Sequence, residues 1–206
     1  MDNMIDNFYS LKYLCDFSPS TYYKFVLLTR DKDHGSLQLV DKDKKELLGK
    51  QWLVEDQDYL NKVIPDMKNF ANAVGGRIYM CLDRMSYIKT LFTLQEETFK
   101  MIRTYQESSN NVRIKHLNKL WNSVTSKELS TTKESRRFML DVDVKDLELL
   151  KRLEDKQKSS HIATLETVNG FHIIFKRNFN PAILEIEKEN NVEIKTCCLG
   201  LIYKGS

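Results

Sequence analysis

The chain contains few of the residues that break, bend or cross-link a protein: 3 prolines, 7 glycines and 4 cysteines among 206 residues. With so little proline and glycine, and with no internal repeat or low-complexity tract, fibrous, collagen-like and disordered classes are excluded. Hydrophobic residues make up 41% of the sequence and charged residues 30%, which is the balance of a globular protein. We therefore expect a compact fold along the whole chain.

The cysteines predict neither a zinc site nor a disulfide framework. Cys15 and Cys81 stand alone, and Cys197 and Cys198 are adjacent, so the C-x-x-C spacing typical of such sites does not occur. Free cysteine behaves as a small buried hydrophobe. We expect reduced thiols packed in the interior.

No hydrophobic run is long enough to span a membrane. The longest runs, at 25–28 and 78–82, have the length of strands, whereas a membrane helix needs roughly 18 apolar residues. The first residues are acidic and no apolar stretch follows them, so we expect no signal peptide. These patterns predict a cytoplasmic protein that has no membrane partner.

No large region carries a strong excess of charge of either sign. The net charge of +3 is divided almost evenly between residues 1–130 and residues 131–206. A strongly basic footprint for nucleic acid is therefore absent, and any binding of nucleic acid must be local.

Residues 1–130 are predicted to form an N-terminal α/β lobe that ends in a helical connection. A strand at 22–29 and apolar segments at 37–40 and 52–54, separated by a polar turn at 31–35, predict a small antiparallel set. The next predicted element is a helix at 57–74, which Pro65 kinks or restarts and which Gly75-Gly76 ends. It is followed by a buried strand at 77–82, a second helix capped by Ser86, and a third helix at 112–124. The predicted apolar face of the second helix comprises Ile88, Leu91, Phe92, Phe99 and Ile102.

Residues 131–206 carry the clearest pattern of secondary structure. The predicted elements are a strand at 137–143, a helix at 146–157, strands at 162–167 and 171–176, a helix at 181–190 and a strand at 193–203. This β-α-β-β-α-β order is that of a ferredoxin-like or RRM-like unit, so the predicted fold class is α+β. The first and third strands should lie side by side at the centre of a four-stranded antiparallel sheet, with both helices on one face. Asn169-Gly170 predicts a tight hairpin in which both residues have positive φ.

Alternation along the first and third of these strands gathers polar side chains on one face. Asp141 and Asp143 alternate with apolar residues on the first strand, and His172 and Lys176 do so on the third. If the apolar residues pack under the helices, these four polar side chains converge on the open face of the sheet.

Two carboxylates at i and i+2 of a strand repel one another, and a divalent cation held by hard oxygen ligands relieves that repulsion. Asp141 and Asp143 thus predict bound Mg²⁺ or Mn²⁺, which could in turn hold nucleotide phosphates. Alternatively, the two acids merely end a strand ahead of the next helix. His172 is either a ligand-binding residue or a satisfied, half-buried histidine. Lys176 and Arg177 either neutralise phosphate or form a solvated strand end.

Two stretches, RFMLDVD at 137–143 and TVNGFHII at 167–174, resemble the archaeo-eukaryotic primase superfamily, and its small phage and prophage members in particular. The resemblance implies that Asp141 and Asp143 bind metal and that His172 contacts the phosphates of the incoming nucleotide. It also implies a third acidic metal ligand on a later strand.

Two further segments bear on this resemblance. GRIYMCLDRMS at 76–86 is similar to a strand and turn in the N-terminal subdomain of the phage proteins. The final predicted strand lacks the hydrophobic-Asp pair that the family places there. Glu193, at the start of that strand, has the parity to reach the same face as Asp141, and it is the candidate for the third ligand.

Three functions are compatible with these residues. The first is a metal-dependent, primase-polymerase-like nucleotidyltransferase of phage or mobile-element DNA replication, in the cytoplasm of a bacterial host. It would use nucleoside triphosphates and single-stranded or primed DNA, with His172 and Lys176 or Arg177 on the triphosphate. The alternatives are a non-catalytic nucleic-acid-binding accessory module and a metal-dependent nuclease. Since the chain has no G-x-x-x-x-G-K-[ST] loop, any replicative helicase would be a separate partner.

Overall fold

The computed structural model describes residues 4–30, 46–108, 117–125, 127, 130–176, 192–196 and 198–205. Within these ranges the chain forms ten strands and five α-helices, arranged as two antiparallel sheets with helices packed on them. The strands are β1 (Ile5–Asp6), β2 (Thr21–Arg30), β3 (Glu46–Val54), β4 (Arg77–Cys81), β5 (Met85–Ser86), β6 (Arg137–Val142), β7 (His161–Glu166), β8 (Phe171–Lys176), β9 (Val192–Thr196) and β10 (Leu199–Lys204). The helices are α1 (Leu11–Leu14), α2 (Gln57–Val74), α3 (Tyr87–Ser108), α4 (Leu117–Val124) and α5 (Leu147–Lys156). The protein is of the α+β class, as predicted.

The first sheet has the strand order β1-β10-β4-β2-β3, and the short β5 also pairs with β2. Helix α2 packs on this sheet through an apolar face, of which Leu60, Val63, Met67 and Ala71 are buried. The Asp56 side chain caps its start by accepting from the Tyr59 amide.

The predicted end of α2 is confirmed, and Pro65 does not restart the helix. Gly75 ends the helix in the left-handed conformation, with φ of 57°. Pro65 lies inside one continuous helix. Its position is exposed, so water can satisfy the carbonyl that the missing N–H leaves without a donor.

Helix α3 forms where the sequence predicts it, but its predicted apolar face does not pack against the described protein. Ile88, Leu91, Phe92, Phe99 and Ile102 are 43–63% exposed. The buried side carries Thr90 and Thr93 instead, whose hydroxyls donate to the carbonyls of Ser86 and Lys89 one turn earlier. Because these bonds satisfy the threonine hydroxyls internally, the threonines can be buried at little cost.

The second sheet has the strand order β7-β8-β6-β9, so β6 and β8 are central neighbours as predicted. Helix α5 covers one face, where Leu149 and Leu153 contact a cluster that contains Leu140, Ile173 and Phe175. The predicted second helix, at 181–190, lies outside the described residues, as do the turn at 31–35, the segment at 37–40 and the start of the helix at 112–124. The complete ferredoxin-like unit therefore stays a prediction.

The last predicted strand is in fact two strands that belong to different sheets. β9 pairs with β6 at the edge of the second sheet, whereas β10 lies between β1 and β4 in the first. β9 alternates and is half exposed, which suits an edge. In β10 the successive residues Leu201, Ile202 and Tyr203 are all buried, which suits a strand covered on both faces. The division into lobes at residue 130 remains a prediction, and the segment beyond it supplies a strand to the first sheet.

The hairpin between β7 and β8 differs from its prediction. The Thr167 amide donates to the Gly170 carbonyl at 2.9 Å, so Val168 and Asn169 are the central residues. Among the described residues, positive φ occurs only at Ser20 and Gly75. A Cβ on Gly170 would lie 1.8 Å from the Val142 carbonyl oxygen. Glycine is required here because the end of β6 approaches closely.

No helix in the described ranges has both the length and the apolar character to cross a bilayer.

Candidate functional site

A cavity of about 410 Å³ lies between the two sheets, and we call it the site cavity. The second sheet lines it with Met139, Asp141, Asp143, His172 and Lys195, and the hairpin Thr167–Asn169 lies beside them. The first sheet lines it with Leu28, Arg77, Tyr79, Leu199 and Leu201, and Cys198 completes the lining. Charged side chains of both signs thus meet between two rigid sheets.

The face of the second sheet that carries Asp141 is not open, contrary to the prediction. Met139, Ala163, Leu165 and Ile174 lie on this face and pack against the core of the first sheet, and each is at most 6% exposed. Covering these apolar side chains is favourable, so the first sheet covers the middle of the face. The polar residues line the cavity that remains beside this contact.

Asp141 and His172 are register partners on the two central strands. The Leu201 amide of β10 donates to His172 Nδ1 at 3.3 Å, so that nitrogen carries no proton. The proton of the neutral ring is therefore on Nε2, which lies 3.3 Å from Asp141 Oδ1 and donates to it. The His172 side chain is 11% exposed. The ring is fixed in orientation and tautomer by one strand from each sheet.

Lys195 is a site residue that sequence reasoning missed. Its Nζ forms a short ion pair with Asp141 Oδ2 and a second one with Glu193 Oε2 at 3.0 Å. Glu193 is the register partner of Asp141 on β9, and Lys195 follows two residues later on the same face. The alternation used to place Glu193 could also have placed Lys195.

These contacts set the charge of Asp141. The hydrogen bond from His172 is the largest cause that lowers the pKa of Asp141, to about 2, and Lys195 lowers it further against the opposing effect of burial. Burial acts to lower the pKa of Lys195, but its bonds to Asp141 and Glu193 raise that pKa overall. At neutral pH Asp141 is a carboxylate held between an imidazole N–H and an ammonium group.

The other two predicted metal ligands are more exposed. Asp143 lies one residue beyond β6 and lines the site cavity, and the Glu193 side chain is 72% exposed. Within the described ranges, no three His, Cys, Asp or Glu side chains form a group that could hold a metal. Mg²⁺ is usually held by one or two carboxylates and substrate phosphates, and the donor chemistry of Asp141 and Asp143 fits that pattern. The three-ligand set with Glu193 stays a prediction.

The structure does not bring Lys176 to the site cavity. Lys176 lies four residues from His172 along β8, about 13 Å along the strand, and lines a second cavity there. Arg177 lies outside the described residues. Arg77 and Tyr79 of β4 line the site cavity instead and are nearly buried. A charged residue at the start of an otherwise apolar strand was the available signal for Arg77.

Comparisons of the chain with family models, with curated proteins and with solved structures gave no match. They leave the resemblance to primases untested.

Proposed function

We propose that the protein is a metal-dependent, primase-like nucleotidyltransferase that binds a nucleoside triphosphate in the site cavity. It would act on single-stranded or primed DNA during phage or mobile-element replication, in the cytoplasm of a bacterial host and beside a separate helicase. The observation that carries this proposal is the direct pairing of Asp141 with His172 at a cavity that Asp143 also lines. These are the residues that the primase resemblance implies.

Each residue has a role that its surroundings support. Asp141 and Asp143 would hold Mg²⁺ or Mn²⁺, which supplies charge stabilisation at the attacking and leaving oxygens of phosphoryl transfer. Asp141 is fully ionised at neutral pH because its pKa is about 2. His172 donates from Nε2 to Asp141 in the free protein, and this N–H would turn from Asp141 to the nucleotide when the nucleotide binds. Arg77 adds a positive charge to the lining. Both are suited to contacts with phosphate oxygens.

Lys195 would have two partners in succession. In the free protein its ammonium group neutralises Asp141 and Glu193. Its side chain is 39% exposed, so the group has room to move. When a nucleotide enters, Lys195 would move from the carboxylates to the phosphates, leaving Asp141 available to the cation.

A second candidate is a replication accessory module that binds nucleic acid without catalysis. The ion pair between Lys195 and Asp141 favours it, because an ammonium group already compensates the carboxylate that a metal would need. The exposed position of Glu193 favours it as well.

Nucleotide incorporation distinguishes these functions. Wild-type protein is incubated with Mn²⁺ or Mg²⁺ and labelled nucleotides, on a primed and on an unprimed DNA template. We expect extension, and we expect Asp141→Asn to reduce it by several orders of magnitude because it removes the charge that holds the metal. Asp155→Asn, an exposed position on α5, is the matched control.

The other outcomes assign the other functions. Shortening of the DNA would indicate a nuclease. Binding of single strands without incorporation, equal in wild type and Asp141→Asn, would indicate the accessory module. An absence of Mn²⁺-dependent nucleotide binding in calorimetry would refute both the enzyme and its nucleotide site.

A further inference from the structure

A second cavity, of about 390 Å³, lies at the opposite end of β6 and β8 from the site cavity. Its charged side chains are those of Arg84, Arg136, Arg137, Lys176, Asp16 and Glu134. We call it the cation cavity, because among the described residues four cationic groups and two carboxylates line it. A concave excess of positive charge is suited to an anionic ligand.

The two cavities lie on the same face of the second sheet. Arg137 and Lys176 are register partners on β6 and β8, just as Asp141 and His172 are. Residues four apart in a strand share a face and are separated by about 13 Å. The buried contact that Met139 and Ile174 make with the first sheet separates the two cavities, so each cavity is a binding site of its own.

Arg137 provides a positive charge that is fixed in place. Its guanidinium group donates from Nη1 to the Leu82 carbonyl at 3.0 Å and from Nη2 to the Tyr23 hydroxyl at 3.3 Å. Both acceptors are neutral, so these bonds hold the group without cancelling its charge. The backbone N–H of Arg137 is held by Asp83 at 2.8 Å, which orders the start of β6.

Arg84 is also held in position. Its backbone N–H donates to Ser135 Oγ at 3.0 Å, and its carbonyl accepts from the Thr132 amide at 2.9 Å. Its side chain pairs with Asp16 at 3.2 Å, and its buried Nε makes no hydrogen bond with the part of the chain that is described. Arg84 Nη1 also donates to the Asp16 carbonyl at 2.7 Å. The Arg84 side chain is 13% exposed and that of Asp16 is 81% exposed, so the Asp16 carboxylate can turn into solvent while the guanidinium group stays in place. A ligand with several anionic oxygens could displace that carboxylate.

An aromatic ring lies at the rim of the cation cavity. Tyr13 of α1 lines the cavity and is 58% exposed. The Lys12 ammonium lies 4.8 Å from the centre of its ring. Cationic grooves beside exposed aromatic rings are typical of proteins that bind single-stranded nucleic acid, in which bases stack on the rings and phosphates meet the cations.

We propose that the cation cavity binds a backbone phosphate of a single-stranded nucleic acid, and that Tyr13 stacks on a neighbouring base. The choice of a nucleic acid rests partly on the proposed function, since a protein that acts on single-stranded DNA needs contacts with the DNA backbone in addition to its nucleotide site. The charge and the aromatic rim of the cation cavity do not depend on that function.

The test is fluorescence anisotropy with a labelled oligothymidylate, in EDTA and without nucleotide, over a range of NaCl concentrations. Lys176→Gln should reduce the slope of log K against log salt by about 0.7, the value for one phosphate contact on a single strand. Tyr13→Ala should weaken binding about fivefold or more through the loss of one stacked base. Lys151→Gln, an exposed lysine on α5 at the other face of the sheet, should change neither quantity.

Three other outcomes decide between this proposal and its alternatives. Lys176 and Tyr13 are exposed, so their variants should melt with the wild type, and binding equal to that of Lys151→Gln would overturn the proposal. If calorimetry detects binding of inorganic phosphate and no oligonucleotide binds, the cavity is a free-phosphate site and the proposal is wrong. If wild type binds no nucleotide with Mn²⁺ but the oligonucleotide effects persist, the proposed function fails and this inference stands.

Discussion

Replacing Asp141 with asparagine should lower the free energy of unfolding of the free protein by about 1–2 kcal/mol at pH 7. The folded protein lowers the pKa of this carboxyl group from 3.8 to about 2, and each pKa unit corresponds to about 1.4 kcal/mol. The full shift gives about 2.4 kcal/mol as an upper value. The Lys195 side chain is 39% exposed, and solvent screening of that pair reduces the expected loss.

The effect has a defined pH dependence. Because the folded-state pKa lies below the unfolded-state value, the stabilisation is complete above about pH 5 and is lost as the pH falls through the folded pKa near 2. The difference between wild type and Asp141→Asn should therefore be constant from pH 7 to pH 5. It should be about half as large at pH 3.

Urea unfolding, followed by tryptophan fluorescence in EDTA and without nucleotide, measures both quantities. Asp155→Asn on the exposed surface of α5 is the matched control and should change the free energy by no more than about 0.5 kcal/mol. Two results would refute the reasoning: an Asp141→Asn variant as stable as the wild type at pH 7, or a difference between the two proteins that is the same at pH 7 and pH 3.

The other two predictions concern a close backbone contact at Gly170 and the buried thiol of Cys15. Gly170→Ala should lower the free energy of unfolding by about 2 kcal/mol or more. The new Cβ would lie 1.8 Å from the Val142 carbonyl oxygen, so the backbone at this contact must move. Thermal melting measures the loss. A Cβ at Gly49 would lie 3.3 Å from the Leu27 side chain and no closer than 3.7 Å to a backbone atom of Leu27. Gly49→Ala is therefore the control, and equal melting temperatures of the two variants would contradict the prediction. Burial raises the pKa of Cys15 to about 12, so at pH 8 iodoacetamide should alkylate it far more slowly in the native protein than in urea. Peptide mass mapping reads the modification at Cys15 itself, and equal rates would show that the thiol is accessible.

The sequence was sufficient for those features that depend on local patterns. Alternation along 137–143 and 171–176 predicted that Asp141 and His172 share a face, and the β-α-β-β order predicted that their strands are neighbours. The helix at 57–74 was predicted with both ends, because its apolar periodicity and the glycines that end it are local signals.

The features that were missed depend on contacts between distant segments. The apolar periodicity of α3 defines a helix face, but it does not show which face the rest of the protein covers. Thr90 and Thr93 can be buried because their hydroxyls bond to carbonyls of the same helix, and the Thr90 hydroxyl also bonds to the Tyr22 hydroxyl. The break between β9 and β10 was missed because the two strands have different distant partners: β9 pairs with β6 in the second sheet, and β10 pairs with β1 and β4 in the first. Lys195 was missed because its importance comes from the cross-strand distance to Asp141.

The position of β10 has a consequence for how the molecule is assembled during synthesis. This strand lies inside the first sheet, between β1 and β4, yet it is translated after every other strand that is described. The first sheet therefore cannot close until residues 199–204 have left the ribosome, and its pairing with β1 joins segments almost 200 residues apart. Pairings over such distances form slowly, because a long loop must close first. The amide that orients His172 belongs to Leu201 of the same strand, so the imidazole is held in place only after β10 has joined the first sheet.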